Sequence, residues 1–349
     1  MIEFFSEYGM FFAKVATLVV AILFVVGGIL QTAARYRQHE EDGEIRVRHL
    51  NRELDNLRDG IRHAVLPPSQ RKAAHKQQRK EEKARAKAEK KAAAEPDNKR
   101  KVFVLDFDGD VQARAVDNMR REISAVLQLA GADDEIVVRL ESPGGVVHGY
   151  GLAASQLQRI RSKGVHLTIC VDKVAASGGY MMACIGEKII AAPFAIVGSI
   201  GVVAQIPNLH RLLKKNSIDI ELLTAGEYKR TLTVLGENTD KGREKFQEEI
   251  EDTHQLFKDF VSENRRGLEL SKVATGEHWF GTRARELGLV DELMTSDEYL
   301  LDACEKAEVY EIAWHARQKL AEKLGFQAAS AFERVLERFF YRASKRFPH

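Results

Sequence analysis

Val165-His166-Leu167-Thr168-Ile169-Cys170-Val171-Asp172-Lys173-Val174-Ala175-Ala176-Ser177-Gly178-Gly179-Tyr180 is the stretch on which the reading of this chain turns. Its first part, 165–171, has the apolar, β-branched character of a buried strand. Ser177 follows among small residues, where the chain turns into an apolar helix. A serine at such a junction sits on the positive end of a helix dipole, beside backbone N–H groups that lack helical partners. No bulky neighbour shields it from an approaching carbonyl, so it is placed as a nucleophile would be. The same residue could serve as a plain helix N-cap before a Gly-Gly turn.

Strand signals at 102–106, 135–140 and 165–171 alternate with helix signals at 113–130 and 150–162. This βαβ pattern predicts an α/β fold with a mainly parallel sheet. Parallel strands bring their C-terminal ends to one edge, where α/β folds bind ligands. The strand at 135–140 runs into Glu141-Ser142-Pro143-Gly144-Gly145, a second glycine-rich junction that could expose N–H groups toward a ligand. With the N–H of Gly178 beside the serine, such a turn could form an oxyanion hole. The apolar run through 188–206 is broken by Pro193 and the glycines around Ser199, which predicts buried strands and turns rather than a membrane span.

A serine nucleophile needs a base. Of the eleven histidines only His148 lies near this region in sequence. A lysine can act instead where a dry site keeps its amine neutral. Lys229 follows a strand-like Ile218-Asp219-Ile220-Glu221-Leu222-Leu223 on a glycine-containing loop, and its spacing alone describes an ordinary solvated lysine.

Five motifs occur in order: Ser-Pro-Gly-Gly (142–145), Ala-Ala-Ser-Gly-Gly-Tyr (175–180), Gly-Ser-Ile-Gly-Val (198–202), Gly-Glu-Tyr-Lys-Arg (226–230) and Leu-Gly-Leu-Val-Asp (287–291). Together they resemble the signal peptide peptidase A (protease IV) family of Ser-Lys peptidases, over about residues 100 to 300. The resemblance implies a ClpP/crotonase-like fold, with Ser177 as nucleophile and Lys229 as general base. It also implies oxyanion donors at the N–H groups of Gly144 and Gly178, and Ser199 as the residue that holds the lysine. Peptide or protein substrates, small or apolar residues at the cleavage site and a homo-oligomeric ring are further implications, with no cofactor and no metal. A crotonase-type acyl-CoA enzyme and a catalytically silent peptide-binding scaffold are the competing functions.

With 349 residues and 44% hydrophobic content the chain can fill a sizeable core, and a net charge of +2 says little. Three cysteines without metal-ligand spacing predict neither a disulfide framework nor a metal site. Residues 15–34 carry no charge, about 30 Å as a helix, which predicts one N-terminal transmembrane anchor over 1–34. A juxtamembrane and linker segment then covers 35–100, with an amphipathic helix over 35–66 and ten Lys/Arg against three Glu in 71–91, either helical or disordered. No base-reading motif accompanies that basic run, so its expected partner is the bilayer surface and not nucleic acid. The peptidase domain is expected over 101–300 and a C-terminal extension over 301–349, with a strand at 309–314 and an amphipathic helix at 328–346. The expected location is a bacterial inner membrane. The resemblance implies that the catalytic domain lies outside the cytoplasm, whereas Arg35, Arg37, Arg46 and Arg48 after the span imply the cytoplasmic side.

Overall fold

A computed structural model describes residues 43–67 and 99–316, together with positions 17, 70, 80, 83 and 84. The expected anchor at 15–34 apart from position 17, nearly all of the basic run at 71–91 and the helix at 328–346 lie outside the described residues. Among the described residues no helix is long and apolar enough to cross a membrane.

The main sheet is built from β1 (Gly43–His49), β2 (Lys101–Asp108), β3 (Glu135–Glu141), β4 (His166–Val171), β6 (Lys188–Ala191), β9 (Glu292–Leu293) and β10 (Glu308–Ala316). Their order across the sheet is β1-β10-β2-β3-β4-β6-β9, and every pair from β10 to β9 is parallel. A fold of this α/β class with a mainly parallel sheet agrees with the sequence pattern. A second sheet of three short strands, β5 (Val174–Ala176), β7 (Ile196–Gly198) and β8 (His278–Phe280), pairs β5 parallel and β8 antiparallel to β7.

Alternation along the strands separates two apolar faces. Val102, Val104, Val137, Cys170, Ile190 and Val309 form one buried cluster, which Leu50 of α1 (Leu50–Val65) and Leu300 of α9 (Ser296–Lys306) pack against. α2 (Val116–Val126) and α3 (Val147–Ser162) pack on each other, against β2 and β4 respectively. Both Cys170 and Cys184 are buried free thiols, and burial pushes Cys184 up to about 12, as expected of inert core residues.

The structure departs from the sequence reading at the β1 edge of the sheet. Residues 35–66 were expected to form one amphipathic helix, yet Gly43–His49 is a strand and the helix starts only at Leu50. Ile45 and Val47 have β-branched side chains spaced by two, which suits a sheet edge, and β10 lies next to them in the sheet. The strand expected at 309–314 is present as β10, and it enters the sheet between β1 and β2. Ion pairs stitch this edge: Glu311 of β10 accepts from Arg48 at 2.8 Å and from Arg139 at 2.9 Å, and Arg139 also donates to Asp106 at 2.5 and 2.7 Å.

On the same sheet Glu135 is buried. It accepts from the hydroxyls of Thr168 (2.6 Å) and Tyr299 (2.5 Å) and from Arg100 (2.8 Å). Removing that acceptor strands two hydroxyls away from water, at about 1–3 kcal/mol for each group left unpaired. Glu135→Leu is therefore expected to lower unfolding stability by about 3 kcal/mol and Tyr299→Phe by about 1 kcal/mol, read by urea denaturation. A Glu135→Leu protein as stable as wild type would show that the network does not hold the sheet.

Candidate active site

Beyond Arg139, β3 leaves its partner β4 and continues toward the second sheet. Ser142 forms an isolated parallel bridge with Ala175: its N–H donates to Val174 O (2.8 Å) and its carbonyl accepts from Ala176 N (3.0 Å). This register sets the Pro-Gly-Gly turn against the serine junction. A Cβ added to Gly144 would lie 2.7 Å from Ala176 O and 2.8 Å from both Gly178 N and Ser177 Cβ. Gly144 also has φ +89°, a conformation that side chains disfavour. Two glycine-rich junctions 33 residues apart are thus in backbone contact.

Ser177 itself has φ 52° and ψ −118° and caps α4 (Gly178–Ala183) without a side-chain capping bond. A non-glycine residue held there stores strain, of order 1–3 kcal/mol, and the same kind of sharp strand-to-helix turn lifts a serine hydroxyl out of its surroundings in other hydrolytic folds. Its N–H donates to Gly198 O at 2.8 Å. Because Ala176 pairs with Gly198, Ser199 lies one step past the end of the neighbouring strand, level with Ser177. Ser199 also has a left-handed φ, 51°, and its N–H donates to Glu277 O at 2.7 Å. Neither serine hydroxyl has a hydrogen-bond partner among the described residues.

Donor groups differ between the two turns. The N–H of Gly144 donates to Ser142 Oγ at 3.1 Å and is occupied inside the protein. Gly145 and Gly178 make no backbone N–H bond among the described residues, and both border the cleft beside Ser177. Gly145 was not singled out from the sequence, although it belongs to the same Pro-Gly-Gly turn. The direction of a backbone N–H is what distinguishes the two glycines. The cleft, of about 460 Å³, has apolar walls from Val147, Met181, Val202 and Val203, with Leu256, Phe257 and Phe260 from α6 (Asp240–Asn264).

Lys229 is not in this cleft. It is exposed on the turn 226–229, where Glu227 pairs with Lys241 (2.6 Å) and the Tyr228 ring lies under Lys241 and Lys245 at the start of α6. Thr253, eight residues beyond Lys245 on that helix, lines the cleft, and eight residues rise about 12 Å. About two turns of helix thus lie between the lysine turn and the cleft wall. Residues 218–223, expected as a strand, have no regular structure and leave Ile218, Ile220, Leu222 and Leu223 exposed. His148 is exposed on α3 and does not line the cleft. Among the described residues no cluster of His, Cys, Asp or Glu has metal-holding geometry.

The profile described as peptidase family S49 N-terminal matches residues 3–157, and that of peptidase family S49 matches residues 159–310. A Haemophilus influenzae relative named "Probable protease SohB" is 48% identical over 99% of this chain and 99% of that protein. A relative of the same name from Buchnera aphidicola of Acyrthosiphon pisum is 54% identical over 70% of this chain and 73% of its own length. A solved membrane-bound stomatin-specific protease aligns at 15% identity over 65% of this chain and 96% of its own, with a TM-score of 0.40, too weak a likeness to argue from.

The crowding at Gly144 makes a direct test. Gly144→Ala forces the turn away from Ser177 and is expected to cut turnover of any Ser177-dependent reaction by at least about 100-fold. Gly60→Ala, a glycine with open space around it on α1 and away from the cleft, should leave turnover unchanged. Equal rates for the two variants would refute the assembled site.

Proposed function

Because the chain belongs to peptidase family S49, among relatives called SohB, we propose that it is a membrane-anchored serine endopeptidase with Ser177 as nucleophile and Lys229 as general base. The observation that carries this reading is the strained Ser177 junction, packed against the Pro-Gly-Gly turn and open to an apolar cleft. The ClpP/crotonase-like architecture is what the five ordered motifs imply. Anchoring rests on the uncharged run at 15–34.

In the reaction the Lys229 amine takes the Ser177 proton as Oγ attacks a peptide carbonyl. The oxyanion is held by the N–H groups of Gly178 and Gly145, since that of Gly144 is already used. The lysine then protonates the leaving amine, and water cleaves the acyl-enzyme. Ser199, level with Ser177, holds the incoming lysine. Apolar cleft walls favour apolar side chains at the cleavage site, in keeping with membrane-derived or signal peptides.

A neighbouring copy delivers the lysine. The segment that bears it leaves Val203 and Leu223 each 91% exposed, with Leu209, Leu212, Ile218, Ile220 and Leu222 also in water, an apolar surface that suits burial in a homo-oligomer. Lys229 of the same copy does not line the cleft that holds Ser177.

Ser177→Ala and Lys229→Ala are each expected to lose at least about 10³-fold in hydrolysis of an apolar peptide library, with the double variant no worse. Lys229→Arg is inactive too, because a guanidinium does not give up its proton. Mixing subunits of the two single variants restores activity, since one supplies the serine and the other the lysine. A wild type that hydrolyses peptides while Lys229→Ala keeps its rate removes the dyad, and a mixture that stays inactive removes delivery between copies.

A further inference from the structure

Ser142 and Tyr150 lie beneath the oxyanion turn, and both are fully buried. Three hydrogen bonds join them to it: Gly144 N–H to Ser142 Oγ at 3.1 Å, Ser142 Oγ to Tyr150 Oη at 2.5 Å, and Tyr150 Oη to the Asp110 carbonyl at 2.9 Å. Counting protons fixes the direction of this chain. A carbonyl only accepts, so Tyr150 donates its single proton to Asp110. Ser142 then has to donate to Tyr150, and its remaining lone pairs are free to accept from Gly144. No member of the chain is left with two roles for one proton.

The ring of Tyr150 reaches the other half of the site. A Cβ on Gly178 would lie 2.4 Å from Tyr150 Cγ, so the ring is in direct contact with the backbone of the residue after the nucleophile. Phe107 meets the same ring edge to face at 6.4 Å and fixes its plane. One side chain therefore supports Gly178 through its ring and the Pro-Gly-Gly turn through its hydroxyl. Burial pushes the phenol above its ordinary range, which keeps the proton in place.

We infer that Tyr150 and Ser142 are positioning residues that set the distance between the two oxyanion donors, an inference that rests on the peptidase reading above. With Gly144 tied to Ser142, the next N–H on the turn, that of Gly145, stays on the cleft wall shared with Ser177 and Gly178. Donors placed before the reaction cost no reorganisation during it. Loosening the tie should weaken stabilisation of the oxyanion and leave substrate binding in the apolar cleft untouched.

The test uses the full-length protein with Tyr150→Phe, which keeps the ring and removes the hydroxyl, and Ser142→Ala, which removes the relay. Three quantities are read: kcat and KM on an apolar peptide amide, affinity for the matching peptide aldehyde, and the unfolding temperature. The aldehyde adds to Ser177 Oγ and places its oxygen where the oxyanion forms. Each variant should lose about 10-fold in kcat, less than the loss of a whole donor, and aldehyde affinity should fall in step. KM should stay within about twofold, and the double variant should be no worse than either single one, because the residues act as one chain. A folded Tyr150→Phe protein with wild-type kcat overturns the inference, as does a kcat loss that leaves aldehyde affinity intact. Aldehyde binding that survives Ser177→Ala overturns the peptidase reading itself and takes the inference with it.

Discussion

Direct contact between the backbone of Gly144 and that of residues 176–178 is the constraint on which the rest of the site depends. No side chain fits between them: a single methyl group on Gly144 would meet a carbonyl oxygen, an amide nitrogen and the Ser177 Cβ, all inside 3 Å. The contact exists because β3 changes partners, pairing with β4 as far as Arg139 and with β5 at Ser142. Gly179 is pressed in the same way against the Ser142 carbonyl, at 2.5 Å for an added Cβ. The glycines are therefore fixed by closeness between chain segments at least as much as by turn geometry.

Two left-handed serines side by side are costly, by order 1–3 kcal/mol each, and such strain persists only where the surroundings over-determine it. Here the surroundings are a parallel sheet with valine and isoleucine side chains buried on both faces, braced by the Glu135 hydrogen bonds and the Glu311 ion pairs. The strained serine and the Gly178 donor follow β5 of the small second sheet, and the Gly145 donor follows β3 of the large one, so the site is built where the two sheets meet.

Much of this was legible in the sequence, for a physical reason. Strand and helix periodicities at 102–171 are local, and Ser177 and the Pro-Gly-Gly turn announce themselves by residue types that have few other uses in such positions. What was hidden is whatever depends on direction or on distant partners. Gly144 and Gly145 are the same residue type in one turn, and only the Ser142 hydroxyl, which lies inside, separates a used N–H from a free one. Ile45 and Val47 share an apolar pattern with Leu50 and Leu54, so a strand and a helix read as one helix until β10 lies beside the first part. Lys229 looked solvated by spacing, and in the single chain it is. Ile218 to Leu223 have the alternation of a strand, but a strand needs a neighbour, and the described residues place none there.

The sheet order β1-β10-β2 sets a timetable for synthesis. β2, β3 and β4 emerge one after another and can pair as they appear, but the N-terminal strand at Gly43–His49 has its neighbour at Glu308–Ala316, some 260 residues later. Closing such a gap costs loop entropy before any pairing rewards it, which makes this the slow step of assembly. Until the ribosome has released that last strand, the edge of β2 remains open and can capture other chains. Completion of the sheet at this edge thus waits until Glu308–Ala316 has been made, long after its neighbour Gly43–His49.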